Sequence, residues 1–140
     1  MGMFGNNEGK KPQATPKNFK KEHSDEALDS AKRALVRIKN LISTINGSYL
    51  QIVTLPREDQ PSFYHDINAN VEILNRYLLQ IKKLALALVN GRYSGTEEGD
   101  DLNLNVLSVL NRIPKLSKLP NNSFKNDLEK LESEIKKIIL

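Results

Sequence analysis

The sequence predicts an all-α protein: an antiparallel four-helix bundle of two long and two shorter helices, preceded by a disordered basic N-terminal arm. Apolar residues recur every three or four positions in four separate stretches of the chain. The 140 residues are enough for one domain with a hydrophobic core. With four Tyr, four Phe and no Trp, that core is expected to be aliphatic, which favours packed helices over a β-sandwich.

Residues 1–22 are predicted to be the disordered arm, and residues 23–140 the helical domain. The arm is rich in Gly, Asn, Pro and Lys, and it has too little apolar surface to offset the entropy cost of ordering. Residues 1–23 have a net charge of +3, whereas the rest of the chain has 16 bases and 15 acids. The basic character therefore lies in the arm, in Lys10, Lys11, Lys17, Lys20 and Lys21.

The first long helix is predicted to begin at Ser24, an N-cap residue followed by acids that suit the helix dipole. Gly47 leaves open whether this helix is continuous, since a helical Gly costs about 1 kcal/mol relative to Ala. Pro56 ends it at the latest. Its apolar seam has the spacing of a coiled coil and consists of Leu28, Ala31, Leu35, Ile38, Ile42, Ile45, Tyr49 and Ile52.

The second long helix is predicted to start near Pro61 or Ser62 and to close at Gly91. The short connection at residues 55–60 and the similar lengths of the two helices predict an antiparallel hairpin. The seam of the second helix comprises Phe63, Ile67, Val71, Leu74, Leu78, Ile81, Ala85 and Leu88.

Two shorter helices follow the loop at residues 92–99. The third carries Leu102, Val106, Val109, Leu110 and Ile113. Pro114 is expected to kink or stop it, and Leu116 and Leu119 are expected to continue the same face for another turn. The fourth is predicted to be capped by Asn122 or Ser123 and to bury Phe124, Leu128, Leu131, Ile135 and Ile138.

The charges are unevenly distributed along the predicted helices. Acids cluster at their starts and bases near their ends, where each favourable interaction with the helix dipole contributes about 0.3–1 kcal/mol. On this interpretation Lys82 and Lys83 belong to the end of the second helix, and Lys115 and Lys118 to the end of the third. The competing interpretation treats the long acid-free stretches as basic faces for nucleic acid.

Several classes of site are not indicated by the sequence. There is no Cys, so disulfides, thiolate metal sites and a Cys nucleophile are excluded. No apolar run approaches the roughly 18 residues of a membrane span, and no secretory signal is present, so we expect a cytoplasmic protein. The acids at residues 97–101 lack the ligand spacing of an EF-hand. No metal, cofactor or small-molecule site and no enzymatic activity are predicted.

One histidine lies in a stretch with a partial resemblance to known families. The stretch is Ser62-Phe63-Tyr64-His65-Asp66-Ile67-Asn68. It resembles the H-box of histidine-kinase dimerisation domains and, more loosely, the helical histidine of phosphotransfer domains. The resemblance covers seven residues and lacks the Pro and the Lys-Gly pair of those families. It implies an alternative function, phosphotransfer with His65 as the phosphoacceptor on a four-helix bundle.

Several apolar residues are surplus to the predicted core. Leu79 and Leu86 are seven residues apart on the second helix and lie away from its seam, and Leu104 and Leu107 are placed on the far side of the third helix. Val36 is similarly off the seam of the first helix. Either these helices pack on two sides, or the leucines form an exposed apolar strip for another chain. The first function hypothesis is therefore a non-catalytic interaction or adaptor bundle that binds another protein or itself.

A third hypothesis is a nucleic-acid accessory protein. It would use the basic arm at residues 10–21 together with a basic cluster in the middle of the first helix. That cluster fits the dipole interpretation least well, and it consists of Lys32, Arg33, Arg37 and Lys39.

Overall fold

The computed structural model describes the backbone of residues 15–140 and the side chains of residues 26–140. The described chain forms four helices and no strands, which confirms the predicted all-α bundle. The two long helices are α1 (Thr15–Ile52) and α2 (Tyr64–Asn90), joined through a short 3₁₀ helix (Arg57–Phe63). The two shorter ones are α3, continuous over residues 97–112, and α4 (Phe124–Ile135).

The start of α1 differs from the predicted Ser24 cap. The helix begins at Thr15, so it includes Lys17, Lys20 and Lys21 of the predicted arm. Their side chains are not among those that the structure describes. Residues 1–14 of the predicted arm, with Lys10 and Lys11, lie outside the described residues altogether.

Helices α1 and α2 form the predicted antiparallel hairpin. Arg37 of α1 donates a hydrogen bond to the Tyr77 hydroxyl of α2 at 3.2 Å, and its guanidinium lies 5.7 Å from the centre of that ring. Helix α1 is continuous through Gly47, where an added Cβ would meet nothing within 4 Å. The two helices make the most extensive interface of the molecule.

The core is aliphatic, as predicted, with one buried aromatic ring. The seam of α2 is buried at Ile67, Val71, Leu74, Ile81, Ala85 and Leu88. Helix α4 covers the C-terminal half of α1, where the rings of Tyr49 and Phe124 lie 4.9 Å apart between centroids. It also packs on α3, so the shorter helices close the core of the hairpin.

Helix α3 contains a π-helical turn that changes its register. Two α-helical segments, Glu97–Leu102 and Ser108–Arg112, flank the π-helical segment Asn103–Leu107. A π turn holds more residues than an α turn, so the side chains that follow rotate relative to an ideal α-helix. Leu107 is buried, at 5% exposure, so of the two predicted alternatives it does not belong to an exposed apolar strip, whereas Leu104 is 71% exposed.

The chain after α3 leaves the helical conformation at Ile113 and has no regular structure over residues 114–118. Ile113 has φ −79° and ψ 120°, because a residue that precedes proline avoids the right-handed helical region. Pro114 stops the helix, as one of the predicted alternatives stated. The predicted extra helical turn through Leu116 and Leu119 is wrong, although both side chains are buried.

Candidate functional site

A groove runs along the surface between α2 and the non-helical residues 113–118. It encloses about 760 Å³. It spans α2 from Glu72 to Lys82, which corresponds to about 15 Å at 1.5 Å per residue. Its accessible apolar surface is contributed by Leu78, Leu79, Ile113 and Pro114, while Leu110 and Leu116 lie buried beneath it.

The non-helical residues 113–119 form one side of the groove, which we call the wall, and two asparagines of α2 hold it in place. Asn75 donates from Nδ2 to the Leu116 carbonyl at 2.9 Å, and Asn68 donates to the Leu119 carbonyl at 2.9 Å. The Leu119 N–H donates back to Asn68 Oδ1 at 2.7 Å. Asn68 and Asn75 are seven residues apart and share one face of the helix. Their amides replace hydrogen bonds that a non-helical segment cannot make within itself.

Other backbone groups of the wall have no such partner. Within the described chain, the N–H groups of Lys115, Ser117 and Lys118 donate no hydrogen bond to protein acceptors. All three residues are exposed. The wall is thus anchored to α2 at Leu116 and Leu119, while the donors beside and between these anchors are free to bind water or an occupant.

Leu79 lies where this groove meets a second one. The second groove encloses about 430 Å³ and is lined by Arg76, Leu79, Gln80, Lys83 and Leu84. Leu79 lines both grooves and is 54% exposed. The predicted candidate Leu79 is therefore an apolar side chain between two neighbouring depressions on α2.

Basic side chains surround these two grooves. We define the rim as the five bases and one acid that line them: Arg76, Lys82, Lys83, Lys115, Lys118 and Glu72. Among residues 26–140, both ion pairs within 4.0 Å are made by Glu134. The rim bases therefore have no carboxylate partner in this part of the chain.

The helix-dipole interpretation does not account for the rim. Acids do occupy the first turns of α2, α3 and α4. However, α2 has no base in its last turn, since Lys82 and Lys83 lie about two turns before its end at Asn90. Lys115 and Lys118 lie in the non-helical segment beyond the end of α3. These four bases need another explanation.

In a second basic cluster, which we call the Glu134 corner, the bases do have a carboxylate partner. The Glu134 carboxylate is nearly buried and lies 3.2 Å from Arg112 Nη2 and 3.1 Å from Lys137 Nζ. A hydrogen bond from Lys137 and a weaker one from Arg112 lower the pKa of Glu134, against the opposing effect of burial. The corner ties the end of α3 to α4.

The remaining predicted partner-binding leucines lie outside the two grooves. Leu86 is 42% exposed on α2, and Leu104 is exposed on α3, but neither lines a groove. Val36 is 57% exposed on α1. The structure thus places only Leu79 of this set in the candidate site, within the described residues.

The basic residues in the middle of α1 do not share one face. Lys32 and Lys39 are seven residues apart on one face, and Arg33 and Arg37 are four apart on another. Arg37 packs on Tyr77. All four side chains are exposed. The nucleic-acid hypothesis stays a prediction.

His65 is exposed and is the second residue of α2. It lines neither groove. Its predicted role as a phosphoacceptor stays a prediction.

In the described part of the chain, no group of three or more His, Asp or Glu side chains is arranged to hold a metal ion. None of the described helices combines the length and the apolar character needed to cross a membrane.

No family model matches the chain, and it has no significant match among curated proteins or solved structures.

Proposed function

We propose that this protein is a non-catalytic protein-binding bundle that docks a segment of another protein against α2 and residues 113–118. The observation that carries the proposal is Leu79, an exposed leucine that lines two adjoining grooves. A single exposed leucine on a protein surface is ordinary. An exposed leucine within a continuous concave apolar surface is typical of a site where a partner buries its own apolar side chains.

The shape of the surface favours a polypeptide segment as its occupant. The two grooves together follow α2 from Glu72 to Leu84, about 18 Å along the helix axis. An elongated surface of that length matches about three turns of a helix or about five residues of extended chain. Small-molecule pockets, by contrast, enclose most of their ligand.

Site-specific photocrosslinking tests this proposal. A photoreactive amino acid is placed at Leu79 in one variant and, as the control, at Val36, which is equally exposed but lies on α1. We expect the variant at position 79 to crosslink one partner protein in cells of the native host, and the variant at position 36 to leave that protein unlabelled.

Calorimetry with the purified partner then completes the test. Leu79→Glu is expected to weaken binding at least about tenfold, equivalent to about 1.4 kcal/mol, and Val36→Glu to leave it unchanged. Equal crosslinking from both positions, or equal affinity of both Glu variants, contradicts the proposal.

A further inference from the structure

Among the described side chains, the basic charge is concentrated at the rim. Residues 26–140 carry 16 bases and 14 acids, a net charge of +2. The rim has five bases and one acid, so the rest of residues 26–140 has 11 bases and 13 acids, a net charge of −2. The two grooves are therefore a local basic surface on a part of the chain that is otherwise slightly acidic. Such a surface attracts a partner of negative charge.

The groove wall also supplies hydrogen-bond donors that favour a negatively charged partner. The exposed wall residues Lys115, Ser117 and Lys118 combine two ammonium groups with backbone N–H groups that have no acceptor among the described residues. Carboxylates accept hydrogen bonds from both kinds of donor, and charge-assisted bonds of this type are the stronger ones. A neutral or basic segment would leave these donors without a charged acceptor.

The apolar surface between the bases adds a second requirement. Leu79 and the side chains of Ile113 and Pro114 line the groove, so an occupant gains by burying a large apolar side chain against them. No aromatic residue lines either groove. The stacking platforms on which single-stranded nucleic acids depend are therefore missing here.

We infer that the groove binds an acidic linear segment of a partner protein, in which a large apolar side chain lies between carboxylates. This inference rests on the proposed protein-binding function and specifies the chemistry of the bound segment. The apolar side chain contacts Leu79, and the flanking carboxylates face Arg76 on one side and the wall lysines on the other.

Fluorescence anisotropy with three synthetic peptides of about twelve residues tests the inference, since that length covers the groove as a helix. The first peptide has leucines flanked by glutamates, the second has serines in place of the leucines, and the third has lysines in place of the glutamates. We expect only the first to bind, with an affinity that falls as the salt concentration rises.

A variant with two reversed charges at the wall is compared with a control variant that has two reversed charges outside the grooves. Lys115→Glu/Lys118→Glu is expected to weaken binding of the first peptide by about tenfold or more, since it replaces two attractive charge pairs with two repulsive ones. The control, Lys125→Glu/Lys130→Glu, changes two exposed lysines of α4 that lie outside the grooves. We expect it to change the affinity less than about twofold.

Each other outcome overturns the inference in an identifiable way. Equal binding of the serine peptide reduces the site to electrostatic attraction alone, and binding of the lysine peptide removes the charge preference. Equal weakening by both charge reversals shows an effect of net charge only. Binding to phosphatidylserine vesicles that depends on Lys115 and Lys118, without peptide binding, assigns the surface to a membrane. A partner crosslinked at position 79 through a non-acidic segment leaves the protein-binding function standing and ends this inference.

Discussion

The two sides of the groove wall differ in what they contact. On the inner side, Leu116 and Leu119 are buried, and their backbone groups are bonded to Asn68 and Asn75. On the outer side, Lys115, Ser117 and Lys118 are exposed. Both sides belong to one short non-helical segment. They differ in that α2 hydrogen-bonds to the backbone of the buried residues and not to that of the exposed ones.

The same contrast separates the two basic clusters. In the Glu134 corner, Arg112 and Lys137 share one nearly buried carboxylate. In the rim, five bases surround an apolar groove with no ion pair among residues 26–140. Bases that meet a carboxylate inside the fold contribute to the fold, whereas bases that meet none are available to a partner. Substitutions on the two sides should therefore separate stability from binding.

The largest expected effect on stability is at the inner side of the wall. Leu116→Ala should lower the free energy of unfolding by about 2–5 kcal/mol, because it removes a fully buried side chain and leaves a cavity. Leu79→Ala, at a half-exposed position across the groove, should change it by less than about 0.5 kcal/mol. Urea denaturation of both variants checks the comparison, and similar losses would contradict the assignment of the two residues to different roles.

A smaller loss is expected at the asparagine that makes two hydrogen bonds to the wall. Asn68→Ala should lower the free energy of unfolding by about 1–2 kcal/mol, because each bond contributes about 1 kcal/mol. The control Gln80→Ala, at an exposed position on the same helix, should change it by less than about 0.5 kcal/mol. Faster amide exchange at Leu119 in the Asn68 variant would identify the wall as the part that loosens, and an unaltered exchange rate would argue against the clamp.

The Glu134 corner should respond to pH. Its carboxylate has a lowered pKa in the folded protein, so it stabilises the fold above the ordinary carboxyl pKa of 4.5, and this contribution is lost as the pH falls through the folded pKa. Glu134→Gln should therefore unfold at a lower temperature than the parent at pH 7, and the difference between the two melting temperatures should shrink as the pH is lowered from 4.5 through the folded pKa. Glu129→Gln, at an exposed position of α4, is the control. A difference in melting temperature that stays constant throughout an acid titration from pH 7 would contradict the ionic role of Glu134.

Much of the fold could be predicted from the sequence because the spacing of apolar residues within a short stretch indicates a helix. The seams of α1 and α2 recur at three and four residues, and the structure buries most of them. Stops were also predictable, since Pro114 acts on its immediate neighbour. The π-helical turn in α3 was not, because no proline or glycine lies within it, and the burial of Leu107 in that turn was one of two alternatives that the sequence left open.

The candidate site could be predicted only in part. Leu79 was identifiable because it lies off the seam of its own helix. The wall was not, since its conformation depends on Asn68 and Asn75, which lie about 40–50 residues earlier in the chain. The two prolines at 114 and 120, which bracket Lys115 and Lys118, were the available signal that this segment is not helical.

Measuring both stability and binding of Lys115→Glu/Lys118→Glu decides whether the rim serves a partner or the fold. We predict a free energy of unfolding within about 0.5 kcal/mol of the parent, together with a loss of about tenfold or more in affinity for the acidic leucine peptide. A variant that is destabilised by more than about 2 kcal/mol yet binds the peptide with unchanged affinity would show that the rim serves the fold and not a partner.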